Sequence, residues 1–91
     1  VGMTVGGMLW DLGKRHQVLC VTHLPQLAAF GDQHFHVTKR SDNDRTATQV
    51  VQLQGDSRVE ELAAMLGAST SVTLQSAREI LHTVAIKTST I

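Results

Sequence analysis

The sequence is poor in the residues that staple small domains or stack on ligands. Of 91 residues one is cysteine, one is proline, none is tyrosine, and only Trp10, Phe30 and Phe35 are aromatic. A single cysteine, Cys20, excludes an internal disulfide framework and fits a reducing cytoplasm. So few aromatics cannot build the stacking platform that holds single-stranded nucleic acid, and Trp10 and Phe30 are read instead as core anchors. Eight basic and eight acidic residues cancel, so no basic footprint points to direct DNA binding by this piece. No apolar run approaches the ~20 residues needed to span a bilayer, and the amino terminus lacks the charged-then-apolar order of a signal peptide. A soluble, intracellular chain of one small domain is expected. It opens without an initiator methionine, in VGMTVGGMLW, a helical pattern with no capping residue ahead of it, which reads as a piece cut from a longer protein.

What is present divides by period. Val1, Val5, Met8, Leu9 and Leu12 fall at helical spacing, and the glycines among them, Gly2, Gly6 and Gly7, imply close backbone approach, since each costs about 1 kcal/mol in a helix relative to alanine. After the polar break GKRHQ, the unbroken run VLCVT has the pattern of a strand covered on both faces in a parallel sheet. Pro25 suits the first turn of a short helix, PQLAAF, that Gly31-Asp32 stops. HFHVTKR and TATQVVQL read as an antiparallel hairpin joined through SDNDR. Ser57 and Glu60 have capping-box spacing ahead of a helix with Val59, Leu62, Ala63 and Leu66 on one face and Gly67 at its end. A last helix has cap candidates at residues 69–71 and the stripe Leu74, Ala77, Leu81 and Val84, with KTSTI fraying. The fold class expected is α/β: helix, buried strand, short helix, β-hairpin and two helices, over residues 1–91 as a single fragment.

His23 stands where the apolar run meets the short helix. In open α/β sheets ligands sit beyond the carboxyl ends of strands, and the N–H groups opening the next helix favour an anion. A histidine there can donate to a phosphate oxygen or orient an attacking water. The plain alternative is a half-exposed residue closing a strand end.

The segment HQVLCVTHLPQLAAFGDQHF, followed by the hairpin and by RVEELAAMLG and TLQSAREIL, resembles the carboxyl-terminal ATPase-head segment of the bacterial RecN family, DNA-repair proteins related to the SMC proteins among the ABC-type ATPases. The resemblance covers essentially the whole chain, from a point just past the family's Walker B strand and D-loop. Its most specific part is VTHLPQ. It implies that His23 is the switch-loop histidine, contacting the terminal phosphate of ATP held between two heads, with Thr22, Pro25 and Gln26 shaping the loop and Thr22 and Gln26 also near the nucleotide. It implies further a role in recombinational repair of DNA double-strand breaks, ATP and Mg in the intact parent, and partners in the rest of the ATPase head, a second head in a homodimer, and DNA through the parent. A cytoplasmic, nucleoid-associated location follows, with no membrane partner.

The fragment is not expected to bind ATP or to catalyse alone. The one Gly-Lys pair, Gly13-Lys14, is followed by Arg15 and has Met8 where a phosphate loop needs its first glycine. A Walker B strand, the ABC signature and coiled-coil arms are absent as well. Cys20 and His23 lie an odd number of positions apart, so on a strand they face opposite ways and make no nucleophile–base dyad, leaving Cys20 as a buried structural residue. His34 and His36 share a strand face and could hold a metal as a pair, but no third ligand accompanies them in DQHFHVTKR. The competing function is a small non-enzymatic protein-interaction module built on the hairpin and last helices. Left without flanking strands, the run VLCVT is expected to make the piece self-associate.

Overall fold

The computed structural model describes residues 2–90; Val1 and Ile91 lie outside the described residues. The elements run α1 (Gly2–Leu12), α2 (Pro25–Ala28), β1 (His34–Asp42), β2 (Arg45–Leu53), α3 (Asp56–Met65) and α4 (Ser71–Thr90). This is the mixed α and β chain the periods imply.

α4 forms where its stripe places it. Ala77 and Val84 are buried, and Leu74 and Leu81 pack against the core. Thr70 supplies the cap: the Thr73 N–H donates to Thr70 Oγ1 at 3.2 Å, and the Thr70 N–H donates to Thr73 Oγ1 at 2.8 Å. That reciprocal pair satisfies two donors at the helix start. The carboxyl end stays helical through Thr90 rather than fraying from residue 87. There the Thr88 and Ser89 hydroxyls donate to the carbonyls of Val84 and Ile86.

α3 lies against α4 and contributes Leu62 and Ala63, both fully buried. It begins at Asp56 after Gly55 at the cap position, two residues earlier than the Ser57–Glu60 spacing indicates, and no side chain caps it. The expected capping box is not formed, because the Ser57 hydroxyl is engaged with the backbone of Gln54, accepting its N–H at 3.0 Å and donating to its carbonyl at 2.8 Å. Gly67 follows the helix with a φ of 128°, a conformation that side chains rarely adopt.

α1 is helical, but its apolar stripe does not face the core. Val5, Met8 and Leu12 are exposed, whereas Gly6 is buried and Met3 and Trp10 pack inward. The cause is Phe30, whose ring sits so close to Gly6 that a β-carbon there would lie 2.2 Å from ring Cδ2. Only the glycine face of the helix admits that ring. Trp10 is half-buried, and its indole N–H donates to Asp32 at 3.2 Å.

β1 and β2 pair antiparallel in a register that matches His36 with Val51 and Val37 with Val50. The strands run closer together than SDNDR suggests, leaving Asn43 and Asp44 as a two-residue loop with φ of 46° and 65°. Both values are left-handed, as the hairpin turn that matches strand twist requires, and Asn and Asp tolerate them. The hairpin projects from the helical body. Residues 39–52 are exposed throughout, while His34, His36, Thr38 and Leu53 at the base are half-buried.

The largest departure is at residues 18–22. They adopt neither helix nor strand, and Leu19 and Val21 are 89% and 95% exposed. A strand exists by pairing, and among the described residues the sheet contains β1 and β2 alone. The buried strand expected from VLCVT is therefore not formed here, and Cys20 is an exposed free thiol rather than a buried one.

Candidate functional site

Thr22, His23, Pro25 and Gln26 fall together in one turn. The Leu24 N–H donates to Thr22 Oγ1 at 3.0 Å, a local closure typical of Ser and Thr. His23 occupies the bend and is exposed; Thr22 and Gln26 are half-buried and Pro25 is buried. Pro25 opens α2 at a position where a missing N–H costs nothing, and the N–H groups of Leu27 and Ala28 both return to the Leu24 carbonyl.

The turn is braced from two sides. Gln26 lies beside the start of α1, its Cβ 3.1 Å from where a β-carbon on Gly2 would stand. The Phe30 ring, two residues past the end of α2, is 5% exposed and seats against Gly6. A third brace has no signature in the sequence pattern. Arg58, half-buried on α3, donates from Nη2 to the carbonyls of Ala28, Ala29 and Gly31 at 3.2, 3.1 and 2.8 Å. They lie at and just past the end of α2, where carbonyls lack intrahelical partners, although the Ala28 carbonyl also accepts the Gly31 N–H at 3.1 Å. Desolvation pulls the Arg58 guanidinium below its ordinary pKa, and Asp32 partly offsets the effect.

The histidine pair lies apart from this turn, at the hairpin base. His36 Nδ1 is 3.1 Å from Glu61 Oε2, which ties β1 to α3. His34 Nδ1 is buried without a hydrogen-bond partner. Desolvation first, then the Arg58 charge and a smaller effect of His36, hold His34 below the usual histidine range, against a raising influence of Glu61. Among the described residues no group of three or more His, Cys, Asp or Glu could hold a metal ion. Gly13-Lys14-Arg15 is no phosphate loop either: the three follow α1 as its closing turns, with Gly13 N–H on the Leu9 carbonyl and Lys14 5.0 Å above the Trp10 ring. No described helix is long and apolar enough to cross a membrane.

What the turn can do chemically is limited and specific. An exposed imidazole on a braced bend can donate one N–H to an anionic oxygen or hold a water. Among the described residues no metal-ligating cluster accompanies it.

No protein-family model matches the chain. Curated proteins do. It is 46% identical over 79 residues to the DNA repair protein RecN of Vibrio cholerae, a match covering 85% of this chain and 14% of that protein. It is 44% identical over 82 residues to RecN of Haemophilus influenzae, covering 88% of this chain and 15% of the relative. With RecN of Deinococcus radiodurans it shares 44% over 80 residues, 87% of this chain and 14% of the other. The chain thus spans about one seventh of the length of these relatives. Identity at this level, sustained across nearly all the chain in bacteria as distant as these, is what the VTHLPQ turn, hairpin and final helices foreshadow, and over this segment the chain belongs to the RecN family.

Proposed function

We propose that the chain forms part of the ATP-binding and ATP-hydrolysing head of a RecN-type DNA repair protein, and that His23 is its switch-loop histidine. The observation that carries this reading is the placement of His23, exposed on a bend whose flanking residues Thr22, Pro25 and Gln26 are half-buried or buried. A residue that must reach a phosphate held by other parts of the protein has to project from a fixed base. ATP with Mg, bound in the intact parent, supplies the phosphoryl group to be transferred and the charge neutralisation that transfer needs. The residues present fit one contact to it. His23 donates to a terminal phosphate oxygen or orients the water, Thr22 sets the bend, and Gln26 lines the turn against α1. Phosphate cradle, magnesium ligands and the opposing head come from the rest of the protein and its second copy, and DNA is engaged through the parent.

The test is His23→Ala in the intact RecN protein that carries this segment. A group acting on the transition state lowers turnover, here by on the order of 10²-fold, with little change in ATP affinity. Normal turnover in that variant rejects the role.

A non-enzymatic interaction module is the competing reading, favoured by the outer hairpin face, where Phe35, Val37 and Val50 are 45%, 58% and 59% exposed. On that reading Val37→Glu abolishes a binding activity while His23→Ala changes nothing.

A further inference from the structure

α2 is four residues long, and no side chain caps its start. A helix this short has no cooperative stability of its own, so the orientation of the turn before it depends on what holds its far end. Two contacts hold it: the Phe30 ring seated against Gly6 of α1 and, from α3, the side chain of Arg58. One nitrogen of its guanidinium shares its two N–H groups among three carbonyls, of Ala28, Ala29 and Gly31, across a sequence separation of about thirty residues. Positive charge at this end of a helix is favoured by the peptide dipoles as well as by the hydrogen bonds. The base of the clamp is rigid, since Arg58 leaves α3 about one turn before the fully buried Leu62 and Ala63. His23 itself has no such hold: its bend is closed by the Leu24 N–H on Thr22 Oγ1, with Gln26 set against Gly2 of α1 on one side and α2 behind it.

We infer that Arg58 is a positioning residue for His23: by gripping the carbonyl end of α2 from α3, it fixes the angle at which the 22–26 turn presents the imidazole. This rests on the ATP-switch reading of His23. The chemistry asks for several donors at one point and a stem long enough to reach it, which methionine lacks entirely and lysine offers from a shorter reach. Misplacing a catalytic group by a fraction of an ångström to an ångström is costly to turnover while leaving ground-state nucleotide binding to other groups.

The experiment is a double-mutant cycle in the intact RecN protein, with Arg58→Met, Arg58→Lys, His23→Ala and the combination of Arg58→Met with His23→Ala. ATP hydrolysis gives kcat and KM, and thermal melting reports folding. Arg58→Met, which keeps the packed stem and removes the donors, lowers kcat by about tenfold with KM for ATP within about twofold. Arg58→Lys recovers part of that loss. In the His23→Ala background Arg58→Met costs less than about twofold, because the residue it positions is gone. Equal losses in both backgrounds, or no loss from Arg58→Met when His23→Ala is slow, overturn the positioning role alone. Full turnover in His23→Ala overturns the switch reading and the role of Arg58 with it. Should Arg58→Met fail to fold, Arg58→Lys against His23→Ala completes the same cycle.

Discussion

The ring of Phe30 occupies the space where residue 6 would carry a side chain, with ring Cδ2 2.2 Å and Cε2 2.7 Å from the β-carbon position of Gly6. That contact joins α1 to the segment leaving α2, and it decides which face of α1 turns inward.

Gly6→Ala therefore forces the ring or the helix to move, and overpacking of this kind costs about 1–3 kcal/mol. Gly7 is only in ordinary contact, 4.0 Å from the same ring, so Gly7→Ala gains helix propensity and stabilises by up to about 1 kcal/mol. Urea unfolding of the two variants should shift in opposite directions. A Gly6→Ala protein as stable as the parent would show that the ring yields freely.

Capping gives a second contrast. Thr70→Ala removes one half of the reciprocal pair with Thr73 and should cost about 1 kcal/mol. Glu60→Ala, at the position the sequence offers for a capping box, should stay within about 0.5 kcal/mol, as an exposed residue outside any cap does. The two denaturation midpoints decide it; a larger loss at Glu60 would place the cap where the sequence pattern puts it.

His34 makes stability depend on pH. Its folded-state pKa lies below the ordinary 6.5 because burial and Arg58 oppose its charge. Above 6.5 both folded and unfolded chains hold it neutral and its contribution is complete. As pH falls below 6.5 the unfolded chain takes up the proton first, so stability declines until the lowered folded value is reached and then levels. Melting temperature measured from pH 8 to pH 5 should fall across that window, and His34→Gln should flatten the decline. An unchanged slope in His34→Gln would assign the effect to other groups.

The 91 residues alone should bind ATP with magnesium no more tightly than the millimolar range, since phosphoryl-transfer sites rest on a phosphate cradle and bound metal that the sequence motifs do not supply. Titration calorimetry measures it directly, and micromolar binding would contradict the division of labour proposed for His23.

Self-association should be concentration-dependent. Val5, Met8 and Leu12 on α1 are 41%, 68% and 49% exposed, and Leu19 and Val21 stand almost fully in water on backbone that joins no strand. Such surfaces recruit a second copy. Sedimentation should show mass rising with concentration and Leu19→Lys with Val21→Lys restoring the monomer. A monomer at every concentration refutes this.

Local rules were legible for much of what is made locally, although not for the Ser57–Glu60 capping box, which the bonds of the Ser57 hydroxyl to Gln54 displace. The hairpin turn could be placed within SDNDR from its residue types, though not narrowed to Asn43-Asp44, α4 could be placed from its stripe, and the His23 turn from Pro25 and the apolar run before it. The periods failed where a decision belongs to distant partners. VLCVT has the composition of an interior strand, but pairing needs a neighbour and periodicity does not report one. The stripe of α1 was visible, yet its orientation was set by a ring 24 positions away that fits only glycine. Arg58 gave no signal because its acceptors are carbonyls, which every residue possesses, so nothing in residue type marks Ala28, Ala29 or Gly31 as its targets.

The hairpin has one more consequence. Strands of nine residues reach about 30 Å at ~3.3 Å per residue, and this arm is anchored at its base, where His36 meets Glu61 on the same helix that carries Arg58. Anything pushing sideways on the Asn43-Asp44 tip thus acts through a long lever on α3, and a tilt of about 6° at the base corresponds to ~3 Å of travel at the tip. The geometry gears a large, weak displacement outside the body down to a small, stiff one beside the carbonyls that Arg58 holds.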